Sequence, residues 1–436
     1  MNTEITYVLD QFCRQYGLNS QPNIGYGFHS NGYLRVSESG RGFLTERKPP
    51  DYQNARKLNF GDTSLPVIFH DGSGKTITHH ENITYIHFDL FAEAFFWLSG
   101  WQECETTELD SHGRFPWKAS LQYQWGITEI PVVNYLFSLL AEELGIKANH
   151  SEYAYRIALT HDVDRITTGW QEDTWFTLKK GDFEDAAKII RNKWYSEHDW
   201  QNLQEIAQTE RQYGATSSFY FIPRRGTYQN IKHADYDVRQ EQFGKLLNRL
   251  EKQGSEIGLH PSVGSHQNKA QLIEDIALLG RPVSGGRFHY LMFNNRITPK
   301  LLEECGLKYD STLGFAEHIG FRNGYCFPFY LYDHQNNRPT SVMELPLVIM
   351  DTTLRNSAYM GVSADEVVSK ISPVLQEIKK FGGTCALLWH NNMFTDYKYR
   401  PWKQAYTEVL EILSEDGTEL GSVETIIPTF LPADSK

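Results

Sequence analysis

The stretch YRIALTHDVD, Tyr155–Asp164, decides the fold that we expect for this chain. Its first six residues are mostly apolar and predict a buried strand over Tyr155–Thr160. The strand is followed at once by a histidine and two aspartates, His161, Asp162 and Asp164. A buried strand that ends in ionisable side chains is typical of a parallel sheet with a functional site at the carboxyl ends of its strands.

Six further apolar segments downstream predict strands, with helices between them. The predicted strands are Ser217–Ile222, Glu256–His260, Val283–His289, Lys308–Ser311, Val342–Leu347 and Thr384–His390. The predicted helices are Asp199–Tyr213, Val238–Gln253, one that opens at Thr298 and ends at Gly306, and one that runs from the capping box Ser363–Glu366 to Gly382. This alternation predicts a parallel sheet covered by helices, and seven strands favour a closed or nearly closed barrel.

The first 150 residues have a different pattern and predict a smaller α+β domain. We therefore expect two domains, residues 1–150 and residues 151–436, in an α/β chain. The predicted elements of the first domain are short strands around Gly32–Val36 and Leu65–Phe69 and helices over Asp89–Glu103 and Ile130–Leu144.

The composition of the chain excludes several classes of protein. Lys and Arg number 42 and Asp and Glu 54, so the formal net charge of the 436 residues is −12. An acidic chain without a long basic segment is poorly suited to binding nucleic acid or an anionic membrane. The 40% hydrophobic and 22% charged residues exclude a disordered chain, a coiled coil and a collagen-like fibre.

The sequence also indicates a location. The N-terminus, MNTEITYVLDQFCRQYG, lacks the basic and apolar segments of a signal peptide. No apolar stretch reaches the roughly 20 residues that a membrane span needs. We therefore expect a cytoplasmic protein without a membrane span. The five cysteines are scattered and form no C-x-x-C pair, so no thiolate zinc site is indicated.

Ionisable residues at the predicted strand ends suggest a metal site. In a loop that leaves a strand, one carboxylate of the pair Asp162 and Asp164 could bind a metal ion while the other faces a water molecule. His260 ends the third predicted strand and is a second candidate ligand, and either His266 or His289 could be the third. Oxygen and imidazole ligands without a thiolate suit Zn²⁺, Mn²⁺, Co²⁺ or Ni²⁺.

Two further residues could take part in the chemistry. Arg287, in the fourth predicted strand, could hold a catalytic carboxylate or a substrate oxyanion. His390 ends the apolar strand CALLWH, and a protonated histidine opposite a metal-activated water is what amide hydrolysis needs as its general acid.

Six motifs, taken in order, resemble those of the NodB-type polysaccharide deacetylases, carbohydrate esterase family 4 in the broad sense. The resemblance spans about residues 155–430 and is strongest to a bacterial branch with DVD, LHPS, RxHYL and WHN signatures. The N-terminal part is similar to an uncharacterised domain that precedes the deacetylase domain in that branch. The motifs are LTHDVD (Leu159–Asp164), EIGLHPS (Glu256–Ser262), GRFHYL (Gly286–Leu291), YDSTLGFAEHIGFRNG (Tyr309–Gly324), ELPLVIMDTTL (Glu344–Leu354) and LLWHNNMF (Leu387–Phe394).

The resemblance implies a distorted (β/α)₇ barrel and a metal-dependent removal of acetyl groups from N-acetylated sugars. Position by position, it makes Asp162 the catalytic base, Asp164 a metal ligand and His260 the first metal histidine. It makes Arg287 the residue that orients the base and His390 the catalytic acid.

The chain departs from the family pattern at two places. Gly264 stands where the usual second motif has its second histidine, so the third ligand is either His289, from the RxHYL signature, or His266. The first motif is D-V-D, where better-known members have adjacent aspartates.

We therefore predict a cytoplasmic hydrolase that depends on a divalent metal, Zn²⁺ before Co²⁺, Ni²⁺ or Mn²⁺. It would act on carbon–nitrogen bonds other than peptide bonds and deacetylate an N-acetylated sugar or oligosaccharide. One alternative is a non-catalytic glycan-binding or assembly protein on the same scaffold. Another is a hydrolase of a non-sugar amide, such as a cyclic ureide or imide.

Overall fold

The computed structural model describes residues 2–146, 155–195, 201–228 and 230–430. The first part of the chain is a mixture of short strands and helices. Its elements are α1 (Thr3–Tyr16), β1 (Gly25–Tyr26), β2 (Leu34–Val36), α2 (Arg41–Glu46), β3 (Arg56–Phe60), β4 (Thr63–Val67), β5 (Ile77–His80), β6 (Ile83–Ile86), α3 (Leu90–Leu98), α4 (Trp101–Glu105), α5 (Leu121–Trp125) and α6 (Val132–Glu143).

The second part alternates strands and helices. Its elements are β7 (Arg156–Val163), α7 (Gly169–Lys180), α8 (Phe183–Tyr195), α9 (Leu203–Gln212), β8 (Ser218–Phe221), β9 (Thr227–Tyr228), β10 (Ile231–Lys232), α10 (Glu241–Lys252), β11 (Glu256–Leu259), α11 (Lys269–Leu279), β12 (Gly285–Gly286), α12 (Thr298–Glu304), β13 (Tyr309–Asp310), β14 (Phe329–Asp333), β15 (Arg338–Glu344), β16 (Leu347–Met350), α13 (Asp351–Arg355), α14 (Val367–Phe381), β17 (Thr384–Leu388), α15 (Arg400–Glu415), β18 (Glu419–Gly421) and α16 (Val423–Ile426).

The main sheet is almost entirely parallel. Its strand order is β14-β15-β13-β12-β11-β8-β7-β17-β16, and β18 also pairs with β7. Only the edge strand β14 is antiparallel to its neighbour within this sheet. The prediction of an α/β chain with a parallel sheet is confirmed, and the capping box at Ser363 and Glu366 is present where the sequence predicts it.

One predicted strand, Val342–Leu347, is wrong in its extent. The structure divides this segment between β15, which pairs with β13, and β16, which pairs with β17. The Leu345 N–H donates to the Asp310 carbonyl at 2.9 Å, and the Pro346 carbonyl accepts from Ala386 at 2.8 Å. The adjacent residues Leu345 and Pro346 therefore bond to opposite sides of the parallel sheet, Leu345 to β13 and Pro346 to β17. A closed barrel stays a prediction.

A second predicted strand, Val283–His289, is much shorter than expected. Only Gly285 and Gly286 pair as β12, and a Cβ on Gly286 would lie 1.8 Å from the Leu259 carbonyl oxygen. The chain then turns, because Tyr290 and Leu291 adopt left-handed backbone conformations with φ of 60° and 55°. These residues cannot continue an extended strand.

Two helix predictions also need correction. The helix predicted over Asp89–Glu103 is broken into α3 and α4, because Gly100 has a φ of 64°. The helix predicted over Asp199–Tyr213 is observed as α9, and its first two predicted residues lie outside the described part of the chain.

The two parts of the chain share buried contacts. Arg322 makes a bidentate ion pair with Glu103, with both nitrogen–oxygen distances 2.7 Å. The Cys326 N–H donates to the Asn134 side chain, and the Tyr7 hydroxyl donates to the Tyr330 carbonyl at 2.8 Å. Apolar side chains of both parts also belong to one buried cluster. The predicted boundary at residue 150 lies outside the described residues, and the division into two domains stays a prediction.

In the ranges given above, no helix combines the length with the apolar character that crossing a membrane requires.

Candidate active site

A cavity of about 360 Å³ lies where several parallel strands end. Asp162 and Asp164 reach it from the end of β7 and the residue that follows, and His260 directly follows β11. His289 comes from the turn after β12, and His390 follows β17 by two residues. The carboxyl ends of the strands thus bring together five of the residues that the sequence singles out.

Asp164, His260 and His289 form a group that could hold a metal ion. One ligand atom from each residue lies within 4.8 Å of the other two. Oδ1 of Asp164 is 3.5 Å from Nε2 of His260 and 3.8 Å from Nε2 of His289. A carboxylate and two imidazoles with an open side are a typical ligand set for a catalytic divalent cation.

The hydrogen bonds around these residues fit a bound cation. Nδ1 of His260 donates to the Arg287 carbonyl at 2.5 Å, so Nε2 is the nitrogen that faces Asp164 and could bind a cation. Oδ1 of Asp164 and Nδ1 of His289 are buried and have no hydrogen-bond partner among the described residues. A metal ion would satisfy the otherwise unpaired carboxylate oxygen.

The ionisation states of Asp164 and His289 also suit metal binding, whereas the carboxylates of Asp162 and Asp164 raise the pKa of His260, so a cation would have to replace its proton. Burial lowers the pKa of His289 to about 3, so its imidazole is neutral. Burial alone would raise the pKa of Asp164, but the imidazoles of His260, His289 and His390 lower it below its usual range. A carboxylate that is ionised and an imidazole that is neutral are the forms that bind metal ions.

Arg287 holds Asp162 in a fixed position. Its Nη1 donates to Oδ1 of Asp162 at 2.9 Å and to the Thr160 hydroxyl at 3.0 Å. Its Nε and Nη2 donate to the carbonyl and the hydroxyl of Ser311. Because the guanidinium is fully buried and bonded on all sides, the other oxygen of Asp162 stays free to act in the cavity.

His390 is paired with a buried carboxylate that the sequence analysis missed. Oδ1 of Asp351 lies 2.7 Å from Nδ1 of His390, and Oδ2 accepts the His390 N–H at 2.7 Å. Burial alone would lower the pKa of His390, but the carboxylates of Asp351, Asp164 and Asp162 raise it to about 9. Asp351 directly follows β16, so the rule for strand ends would have found it if the strand had been predicted to reach Met350.

His266, the alternative third ligand, lies elsewhere. It is buried, its Nδ1 has no partner among the described residues, and its carbonyl accepts from the Thr298 hydroxyl at 2.7 Å. It does not line the cavity that holds Asp164 and His260.

The N-terminal part also reaches the cavity, which the sequence analysis did not predict. Arg114 donates to the Tyr290 carbonyl at 3.0 Å, and His112 stacks on the Tyr290 ring with 5.1 Å between centroids. Tyr290 stacks in turn on His289 at 4.1 Å. The left-handed backbone of Tyr290 costs a bulky residue about 1–2 kcal/mol. The contacts of Arg114 and His112 therefore help to hold a strained turn beside the candidate metal site.

The four tryptophans of the N-terminal part, Trp97, Trp101, Trp117 and Trp125, do not form one exposed aromatic surface. Trp97 and Trp101 are 1% and 6% exposed and belong to the core. Trp117 stacks on His318 at 4.4 Å, and Trp125 packs edge-on against Trp97.

Comparison with known proteins gives a family for the N-terminal part alone. Residues 2–148 match DUF7033, a family of unknown function. No curated protein matches the chain.

Several solved structures resemble the chain at low identity. A candidate polysaccharide deacetylase from Mycobacterium smegmatis is 15% identical with a TM-score of 0.39, covering 63% of this chain and 90% of the other. One from Pseudomonas aeruginosa PAO1 is 10% identical with a TM-score of 0.40, covering 63% and 91%. An allantoinase is 11% identical with a TM-score of 0.39, covering 63% and 89%. Since these scores are below 0.5, the chemistry of this chain has to be inferred from its own side chains.

Proposed function

We propose that this chain is a divalent-metal-dependent hydrolase that removes N-acetyl groups from an amino sugar or a glycan precursor. The observation that carries the proposal is that one cavity holds a carboxylate–imidazole metal group, a carboxylate fixed by arginine and a histidine paired with aspartate. The ordered motifs of residues 155–430 resemble polysaccharide deacetylases and supply the substrate class. We also propose that this region is the distorted (β/α)₇ barrel that the resemblance implies, preceded by a domain of residues 1–150.

In this proposal Asp164, His260 and His289 would hold the cation, with Zn²⁺ preferred and Co²⁺, Ni²⁺ or Mn²⁺ as alternatives. A bound divalent cation supplies Lewis acidity, which polarises the amide carbonyl and makes a water molecule more acidic. Because the three residues come from separate strand ends of one sheet, the fold fixes their spacing without the cation.

Asp162 is proposed as the general base. Its bond to Arg287 fixes one oxygen, and its Oδ2 lies 3.8 Å from Nε2 of His260, beside the proposed metal group. The carboxylate can therefore take a proton from a water molecule that attacks the acetyl carbonyl.

His390 is proposed as the general acid. A pKa of about 9 keeps the imidazole protonated at neutral pH. Asp351 occupies Nδ1, so the proton that can be transferred to the leaving nitrogen is the one on Nε2. The departing amine is then released as a neutral group.

Metal content and acetate release test the proposal together. The untagged wild type should contain about one transition metal ion per chain and should release acetate from N-acetylated sugars. The variants Asp164→Ala, His260→Ala and His289→Ala should lose the metal, and His266→Ala, which removes a buried histidine outside the cavity, should keep it.

Other outcomes would favour the alternatives. Oligosaccharide binding by metal-free protein without release of acetate would favour a non-catalytic binding protein. Ring opening of a cyclic ureide or imide without release of acetate from sugars would favour a hydrolase of non-sugar amides.

A further inference from the structure

The wall of the active-site cavity carries three arginines. Arg114, Arg165 and Arg355 line it together with the carboxylates Asp162 and Asp164. Asp162 is already paired with Arg287, and Asp164 belongs to the proposed metal group. The arginines of the wall are therefore not there to neutralise these two carboxylates. Their partners therefore have to be sought elsewhere.

Two of the three arginines have protein partners. Arg114 pairs with Asp110 at 2.6 Å and donates to the Tyr290 carbonyl. Arg165 pairs with Glu172 at 3.2 Å. Their positions are explained by these contacts.

Arg355 is different, because its guanidinium has no carboxylate partner in the described part of the chain. No hydrogen bond or ion pair joins it to any residue there, and its Nε is buried without an acceptor. Its guanidinium lies over the ring of Tyr399, with Cζ 5.2 Å from the ring centroid. A donor that is withdrawn from water without an acceptor is costly, and an oxyanion in the cavity would supply Nε with one.

The helix that carries Arg355 also places it beside the proposed chemistry. Arg355 is the last residue of α13, and Asp351, which holds His390, is the first. Residues four apart lie on the same face of a helix. Thr352 of this helix also lines the cavity. The ring of Tyr399 lies beside the guanidinium, whose paired N–H groups suit an oxyanion.

We propose that Arg355 binds an oxyanion, a carboxylate or a phosphate, that the substrate carries close to its acetamido group. The inference rests on the proposed function and narrows it, because the substrate class becomes an anionic N-acetylated amino sugar. Arg114 and Arg165 are already paired with carboxylates, whereas Arg355 supplies the free donors.

Three probes that differ in charge test this assignment on the full chain loaded with Zn²⁺. They are N-acetylglucosamine, which is neutral, N-acetylmuramic acid, which carries a carboxylate, and N-acetylglucosamine 6-phosphate. We expect the wild type to favour one of the anionic probes in kcat/KM, and whichever is favoured identifies the oxyanion as carboxylate or phosphate. Arg355→Ala should lose about 10- to 100-fold in kcat/KM on that probe, mostly through KM. Its kcat/KM on the neutral probe should stay within about two-fold, since in the described part of the chain no hydrogen bond or ion pair joins Arg355 to the proposed catalytic groups.

Two further variants serve as controls. Arg355→Lys keeps the charge but loses the paired donors, and it should retain part of the preference. Arg338→Ala removes an arginine whose partner is Glu303 and which does not line the cavity, so it should behave as wild type. Melting temperatures identify any variant that fails to fold.

A binding measurement separates this inference from the proposed reaction. Calorimetric titration of the anionic probes into wild type and Arg355→Ala should show binding that depends on Arg355, whether or not acetate is released. Binding of this kind without any hydrolysis would overturn the deacetylase reaction and leave the anion site standing. Equal loss of kcat/KM on neutral and anionic probes, or equal binding of the anions by both proteins, would overturn the anion site.

Discussion

Asp162 and Asp164 are two residues apart, yet their surroundings differ. Asp162 is bonded to a buried guanidinium, whereas an oxygen of Asp164 has no partner among the described residues and faces two imidazoles. Because side chains alternate along a strand, both carboxylates reach one cavity. Only the tertiary contacts distinguish Asp162, the proposed base, from Asp164, the proposed metal ligand. This difference leads to a paired prediction.

Asp162→Asn should keep the metal and lose turnover by about 10²- to 10⁴-fold, because an amide cannot accept the proton from water. Asp164→Asn should lose both the metal and turnover. Metal content and acetate release on the same preparations provide the measurement. Near-wild-type turnover in Asp162→Asn would mean that another group is the base.

The pairing of His390 with Asp351 predicts a dependence on pH. Activity should hold while His390 is protonated and fall as the pH rises through about 9, since the imidazolium then loses its proton. Asp351→Asn removes the nearest negative charge, which lowers the pKa of His390. The fall in activity at alkaline pH, the alkaline limb of the profile, should then occur about 1–3 pH units lower. The measurement is the profile of kcat against pH.

Thr352→Val is the matched control for that profile. Its hydroxyl lies 3.4 Å from Nδ1 of His390 and carries no charge, so its removal should leave the alkaline limb in place. An unchanged limb in Asp351→Asn would show that His390 is not the acid.

At the scale of elements, the sequence predicts the positions of the strands along the chain better than their ends. Periodicity and turn residues locate β7, β8, β11 and β17 within a few residues. They fail at β12 and at the division between β15 and β16, because those ends are set by pairing with distant strands. The two failures hide Asp351 and leave His266 as an alternative to His289, since the reversal at Tyr290 has no local sequence signal.

The close approach of β12 to β11 gives a test of the sheet. Gly286→Ala would place a Cβ 1.8 Å from the Leu259 carbonyl oxygen, so the strands must separate. We expect a loss of roughly 1–3 kcal/mol or more in the free energy of unfolding. The measurement is urea denaturation.

Gly244→Ala is the contrasting variant. Gly244 lies inside α10, and nothing lies within 4 Å of its Cβ position. Alanine should stabilise the protein by about 0.5–1 kcal/mol. If Gly286→Ala unfolds at the same urea concentration as wild type, the spacing of these strands differs from that described.

At the scale of the whole molecule, the ion pair between Glu103 and Arg322 connects the N-terminal part to the parallel-sheet part. Both side chains are at most 5% exposed. Glu103→Ala would leave the guanidinium buried without its partner and should cost about 3–5 kcal/mol. Thermal unfolding followed by two spectroscopic probes should show one transition for the wild type, because the two parts share a core.

Glu105→Ala is the control at the same boundary. Glu105 faces Arg296 at 3.8 Å, and both side chains are partly exposed, so its removal should cost less than about 1 kcal/mol. Equal effects of the two variants would show that the buried pair does not hold the parts together.

The contact of Tyr7 with Tyr330 has a consequence for the time course of synthesis. The two residues are 323 positions apart. A ribosome that adds about 5–20 residues per second needs roughly 15–65 s to cover that distance. During this interval Tyr7 has not yet met the strand of Tyr330, where its ring packs edge-on against Tyr332 with 5.2 Å between centroids. We expect the nascent chain to depend on a chaperone in this window, and ribosome-bound chains stopped before residue 330 to be more sensitive to protease than the finished protein.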